Sequence, residues 1–136
     1  MSKFVPYPLF HDDMPIDISF VFENERPAGK HGFMRAAGDH FDFEDGTEAR
    51  FWGVNFNGGA CFPSHEYAET VADRLAKAGC NIVRFHQLDA EWDSPNIFSF
   101  SRGKRLGSTR ELDPCSMERL DYLIYCLKER GIYSYL

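Results

Sequence analysis

The chain has 136 residues, 43% of them hydrophobic, so it is long enough to form the core of one ordinary domain. Its formal net charge of −6 argues against a nucleic-acid partner, because phosphate backbones are bound by clusters of Lys and Arg. The basic residues are scattered apart from Arg102, Lys104 and Arg105, which we interpret as part of a solvated loop. The first ten residues contain two prolines and no long apolar run, so they predict neither a signal peptide nor a membrane span. The chain as given is expected to be cytoplasmic, and its native compartment stays open.

Residues 1–31 are irregular and proline-rich, which predicts an extension that packs against the rest of the chain. Within it, the alternating residues 16–22 predict a strand. Asp45-Gly46 between two alternating segments, 41–44 and 47–51, predicts a β-hairpin, because Asp-Gly tolerates the positive φ that such turns need. The next strand is expected over residues 51–57, with Asn55 and Asn57 on the face opposite Trp52.

Two helices follow, each with a recognisable start. Ser64 predicts the N-cap of a helix that runs to Ala78, and Asp113 followed by Pro114 predicts the start of a second helix that ends before residue 131. Strands are expected at residues 81–86 and from residue 132 onward. Strands alternating with helices indicate a parallel sheet with right-handed crossovers. The long connection over residues 87–112 contains Trp92 and is predicted to be functional.

Four cysteines are separated along the chain and form no Cys-x-x-Cys pair. We expect free thiols, mostly buried in or beside helices, rather than a disulfide scaffold or a zinc site. They are Cys61, Cys80, Cys115 and Cys126.

Several segments together resemble a known enzyme family. Phe51-Trp52-Gly53-Val54-Asn55, then residues 61–65, then Asn81-Ile82-Val83-Arg84-Phe85-His86, and finally residues 120–133 look like the amino-terminal third of cellulase-like, family-five-type glycoside hydrolases. The resemblance covers about residues 32–136. It implies an α/β fold, namely a partial (β/α)8 TIM barrel of the first two to three β/α units, preceded by an N-terminal β-hairpin. Residues 1–31 would form the N-terminal extension.

The resemblance also implies a reaction. These enzymes cleave β-glycosidic bonds of polysaccharides or oligosaccharides with retention of configuration, using two carboxylates set about 5 Å apart. In the family pattern the acid/base Glu follows an Asn at the end of the fourth barrel strand, and the nucleophile Glu ends the seventh. Neither motif occurs in this chain, so no catalytic Glu is assigned and the chain alone is expected to be inactive. No cofactor and no metal are expected.

The floor of a sugar site can be carried over residue by residue. Arg84 matches the family's arginine that bonds to the nucleophile and keeps it ionised. Alternation places His86 on the same strand face as Arg84, and Asn55 and Asn57 reach the same rim from the preceding strand. Trp92 is expected to stack on a sugar ring. The expected substrate-binding residues are therefore Asn55, Asn57, Arg84, His86 and Trp92.

Other interpretations of these residues remain open. Arg84 can be a structural salt-bridge partner, and His86 can be a histidine held by backbone hydrogen bonds. His86 with Asp89 and Glu91 matches no strong metal-ligand spacing. Asp89, Glu91 and Asp93 are interpreted as a solvated loop edge rather than a catalytic pair.

Two hypotheses for the whole chain come from different classes. The first is a fragment of a glycoside hydrolase with a carbohydrate substrate. The second is a non-catalytic carbohydrate-binding or interaction module, and a small doubly wound α/β domain is a weaker third option. A barrel cut short would leave an open apolar sheet edge around Tyr133 and Tyr135, which predicts self-association through that edge.

Overall fold

The computed structural model describes residues 17–100 and 108–136. The basic cluster Arg102, Lys104 and Arg105 and the first sixteen residues lie outside the described residues. Within those two ranges, neither helix is long and apolar enough to cross a membrane. In chain order, the strands and α-helices are β1 Met34–Ala37, β2 His40–Phe43, β3 Gly53–Asn57, α1 His65–Lys77, β4 Ile82–His86, α2 Pro114–Glu129 and β5 Tyr133–Tyr135. Short 3-10 helices cover Ser19–Glu25 and Gly58–Cys61.

Both predicted helices form and begin at the predicted caps. The Ser64 side chain accepts a backbone N–H of the first turn of α1 at 3.3 Å, and the Asp113 side chain does the same for α2 at 2.8 Å. Pro114 occupies the first position of α2. Gly79 and Gly131 follow the helix ends with φ of 72° and 78°, a left-handed conformation that glycine adopts without strain.

The three later strands form a parallel sheet in the order β3-β4-β5. Asn81, just before β4, aligns all three at their amino ends. Its side chain accepts the N–H of Trp52 and donates to the carbonyl of Arg50, both at 2.7 Å. Its backbone N–H donates to Trp52 at 2.8 Å, and its carbonyl accepts the N–H of Tyr133 at 2.8 Å. Asn81 is 5% exposed, so one buried amide fixes the register of the sheet.

Both helices pack in one core on one face of this sheet. The core combines small residues of α1, leucines of α2 and the outward side of β4: Ala68, Ala72, Ala76, Leu120, Leu123, Leu127, Val83 and Phe85. In the described residues no helix covers the other face, and the doubly wound alternative, which needs helices on both faces, does not fit. The mixed α/β architecture with a parallel sheet agrees with the sequence-based prediction.

The outer sides of α1 and α2 are joined by a polar seam. Tyr122 donates to the Glu69 carboxylate at 2.7 Å, which raises the pKa of Tyr122 to about 12 and lowers the pKa of Glu69. The Tyr122 ring stacks on His65 with centroids 3.7 Å apart, and Arg130 donates to Glu69 at 2.7 Å. The seam holds the two helices in register above the sheet.

The strand predicted at residues 16–22 is wrong, because Ser19–Glu25 forms a 3-10 helix. The segment lies across the carboxyl ends of the two helices. Ile18 donates its N–H to the carbonyl of Lys77 at 3.0 Å, and Ala28 donates to the carbonyl of Lys128 at 2.9 Å. The last carbonyls of a helix lack partners within the helix, so these bonds attach the extension to α1 and α2.

The predicted hairpin forms only in part, and a hairpin that the sequence did not predict precedes it. β1 and β2 pair antiparallel around Gly38, and the expected second arm at residues 47–51 pairs with β2 in part, through the bridge between Asp42 and Glu48 and a bond of 2.7 Å from the Ala49 N–H to the Phe41 carbonyl. The Asp45-Gly46 turn does form, with a bond of 2.8 Å between the backbone of residues 43 and 47, but the chain then leaves to begin β3. The turn signal therefore located the turn and part of its pairing, and it missed the longer pairing of β2 with β1.

Candidate functional site

The sheet face that the helices leave uncovered carries the polar side chains. In the β3–β4 register Asn55 lies opposite Arg84, and Asn57 lies opposite His86, one step nearer the carboxyl ends. In the β4–β5 register Arg84 lies opposite Tyr135. The structure thus brings Asn55 and Arg84 together as expected from alternation, and their roles stay predictions.

Asn55, Arg84 and Tyr135 line an open hollow of about 370 Å³ on that face. Its six lining residues are Gly53, Val54, Asn55, Ile82, Arg84 and Tyr135. They include one guanidinium and no carboxylate, so the lining carries a positive charge and three groups that donate hydrogen bonds: an amide, a guanidinium and a phenol. Such a lining fits a carboxylate or sugar hydroxyls.

Tyr135 was not predicted as a site residue. The centroid of its ring lies 5.8 Å from the guanidinium carbon of Arg84, within the range of a cation–π contact. Its side chain is 58% exposed, so the ring also presents a free surface to the hollow. No local signal in the sequence identifies it, because the pairing of β5 with β4 sets the register that places residue 135 beside residue 84.

The opposite, amino end of the same sheet face is closed by aromatic residues of the hairpin region. Phe43 stacks on Tyr133 and Phe51 meets Tyr133 edge-on, each with centroids 5.4 Å apart. His31 stacks on Phe43 and bonds to Asp45, which lowers the pKa of Asp45 to about 2. These rings cover the inner face of the sheet at Tyr133.

Exposed apolar side chains remain at the carboxyl end of β5. Tyr135 is 58% exposed and Leu136 is 73% exposed. Self-association through this edge stays a prediction.

Close approach of two strands also shapes the floor of the hollow. A Cβ at Gly53 would lie 1.8 Å from the backbone carbonyl of Ile82, so glycine is required there. Without a side chain at residue 53, β3 and β4 approach closely and the space in front of Asn55 and Arg84 stays open.

The remaining predicted site residues lie at the rim, outside the hollow. Asn57 and His86 share the face of Asn55 and Arg84 but are not among the lining residues. Trp92 lies in the loop after β4 and is 78% exposed. Its indole is presented to solvent at the carboxyl-end side of the sheet.

The acidic residues of that loop differ from one another. Asp89 and Glu91 are exposed, as a solvated loop edge requires. Asp93 is half-buried, and its carboxylate accepts the N–H of Gly59 at 2.7 Å. In residues 17–100 and 108–136 no group of three His, Cys, Asp or Glu side chains is arranged to hold a metal ion.

No protein-family model matches the chain, and no curated protein matches it. The solved structures similar to it include a glycoside hydrolase, with a TM-score of 0.54 and 16% identity, and a glycoside hydrolase family 5 protein from Bacteroides vulgatus, with a TM-score of 0.54 and 19% identity. Each similarity covers 80% of this chain and 25% of the other, so the chain spans about a quarter of the length of these proteins. The structural neighbours are glycoside hydrolases, as the sequence resemblance predicted, and at these identities the likeness shows a shared fold.

Proposed function

We propose that this chain forms the first part of a glycoside hydrolase barrel that cleaves β-glycosidic bonds with retention of configuration. The first β/α units and the hairpin that closes their amino end would form one side of a (β/α)8 barrel. The two catalytic carboxylates would come from segments beyond these 136 residues. This part would supply the floor of the sugar site.

One observation carries the proposal. Asn55, Arg84 and Tyr135 adjoin one another on the helix-free face of three consecutive parallel strands, and Asn55 and Arg84 lie two residues before the carboxyl ends of β3 and β4. Barrel enzymes build their sites at that end. The consecutive strand order and the similarity to glycoside hydrolases over 80% of the chain support the same interpretation.

The chemistry of the floor follows from its one cation. A carboxylate that docks on the Arg84 guanidinium is held ionised, because the nearby positive charge favours its anionic form. An ionised carboxylate is what a nucleophile attacking an anomeric carbon must be. The Tyr135 ring beside the guanidinium restricts its orientation, and the Asn55 amide can donate a hydrogen bond to the same carboxylate or to a sugar hydroxyl.

Residues at the rim would bind the sugar itself. Asn57 and His86 offer hydrogen bonds one step above Arg84, and the exposed indole of Trp92 offers a flat apolar surface. Hydroxyl contacts fix the orientation of a sugar ring, whereas stacking on an aromatic face contributes affinity. Together these groups would bind a β-linked oligosaccharide along the carboxyl ends of the strands.

The test is turnover by the polypeptide encoded by the complete reading frame. Replacing Arg84 by Ala removes the charge that supports the nucleophile and is expected to lower kcat on the order of a hundredfold or more. Replacing Arg110 by Ala, an exposed arginine before α2, is the matched control and should leave kcat unchanged. Near-normal turnover by Arg84→Ala, with the fold intact by circular dichroism, would remove the proposed role.

A second candidate is a carbohydrate-binding module without catalysis. The exposed rings of Trp92 and Tyr135 favour it, because two aromatic surfaces can bind sugar without any carboxylate. It predicts that the complete polypeptide binds a β-linked oligosaccharide such as cellopentaose and does not hydrolyse it. Measured hydrolysis would exclude this candidate.

A further inference from the structure

The loop that carries Trp92 is held unusually firmly for a segment that exposes an indole. Asn96, 8% exposed, donates to the carbonyls of Ala90 at 3.2 Å and Asp93 at 2.9 Å, and accepts the N–H of Phe98 at 2.9 Å. These bonds hold the backbone on both sides of Trp92, whose side chain is 78% exposed. An exposed indole on an ordered backbone offers a flat apolar surface on which a ligand can stack.

The Asp93 side chain connects this loop to the other loop at the same end of the sheet. One carboxylate oxygen accepts the N–H of Gly59 at 2.7 Å, and the other accepts the N–H of Ser94 at 2.8 Å. Gly59 belongs to the 3-10 turn directly after β3, whereas Asp93 belongs to the loop after β4. The residue after Trp92 is therefore bonded to the loop that follows Asn57.

Gly58 provides the space for this contact. Its φ of 53° is left-handed, and a Cβ built on it would lie 1.8 Å from the carboxylate oxygen of Asp93 that accepts from Gly59. Any side chain at residue 58 would displace the carboxylate or strain the turn. The hydrogen bond between Gly59 and Asp93 therefore depends on the carboxylate at residue 93 and on the absence of a side chain at residue 58.

We propose that Asp93 is a positioning residue that holds the backbone beside Trp92 at the rim of the sheet, so that the indole is pre-organised to stack on a sugar ring. A ligand that meets an ordered side chain does not have to order it, which improves affinity. The sugar as ligand rests on the proposed function, whereas the clamp between Asp93 and Gly59 does not. The clamp can therefore be measured without any ligand.

The chain contains two tryptophans, so Trp52→Phe leaves Trp92 as the sole indole fluorophore. In that background Asp93→Ala and Gly58→Ala are expected to increase the fast local component of the Trp92 fluorescence anisotropy decay. Both are also expected to weaken cellopentaose binding about threefold to tenfold. Asp89→Ala removes an exposed carboxylate from the same loop and should change neither quantity. Asp93→Asn, whose amide oxygen can accept from Gly59, should restore part of the wild-type anisotropy.

An unchanged anisotropy decay in a folded Asp93→Ala variant would overturn the proposal. If the substituted chains do not fold, hydrogen exchange of the Gly59 amide in the unsubstituted chain decides. Protection of that amide supports the clamp, and exchange at the rate of an exposed amide overturns it. If the variants loosen Trp92 but cellopentaose does not bind to the unsubstituted chain, the sugar-stacking role fails and the clamp stands.

Discussion

Replacing Asn81 by Ala should destabilise the sheet more than any exposed polar substitution in it. The change removes two hydrogen bonds of 2.7 Å and leaves the N–H of Trp52 and the carbonyl of Arg50 without this partner. Each bond contributes about 1 kcal/mol, and each buried group left unpaired costs about 1–3 kcal/mol. Water reaches part of this site, so the expected loss in the free energy of unfolding is about 2–4 kcal/mol.

The assay is urea unfolding followed by far-ultraviolet circular dichroism. Asn57→Ala is the matched control, because this amide is exposed at the other end of β3, and its effect should stay below about 0.5 kcal/mol. Asn81→Asp keeps an acceptor for Trp52 but turns a carboxylate oxygen toward the carbonyl of Arg50. It should be destabilised at neutral pH and partly recover in acid, where the protonated carboxyl can donate. If the free energies of unfolding of Asn81→Ala and of the unsubstituted chain differ by less than about 0.5 kcal/mol, the amide does not fix the register.

Three further predictions concern the close strand contact, the helix seam and the thiols. Gly53→Ala would place a methyl group 1.8 Å from the carbonyl oxygen of Ile82 in β4. We therefore expect the free energy of unfolding, measured in urea, to fall by about 1–3 kcal/mol or more. A smaller loss would mean that the two strands separate easily. The hydrogen bond to Glu69 raises the pKa of Tyr122 to about 12. The contribution of this bond to stability is therefore complete below about pH 10 and is lost as the pH rises through about 12. Tyr122→Phe should abolish that part of the alkaline loss in thermal melts, and an unchanged pH profile would refute the bond to Glu69. Cys115 is exposed, whereas burial raises the pKa of the Cys61 thiol to about 11, so a thiol reagent should modify Cys115 fast in the native chain and Cys61 only after unfolding.

Local signals predicted the helices and the parallel strands well. The caps at Ser64 and Asp113 work through side-chain bonds within three residues, so the sequence alone is sufficient to locate them. The face shared by Asn55 and Arg84 follows from the two-residue period of strands. These features need no knowledge of distant parts of the chain.

Features that depend on distant partners were missed. Residues 16–22 alternate like a strand, but Ser19–Glu25 forms a 3-10 helix and this part of the chain bonds to the ends of the two helices. Tyr135 joined the site through a register that only the third strand sets. Asp93 resembled a solvated carboxylate in the sequence, yet it bonds to Gly59, 34 residues away. In each case a partner far along the chain decided the outcome.

The central claim is that the guanidinium of Arg84 and the amide of Asn55 form the floor of a site whose carboxylates lie elsewhere in the same polypeptide. The most direct test is to determine the reading frame beyond codon 136. We predict an Asn-Glu pair some tens of residues downstream at the end of a strand, and a second Glu ending a later strand. A stop codon immediately after Leu136 would contradict the account and favour the non-catalytic module.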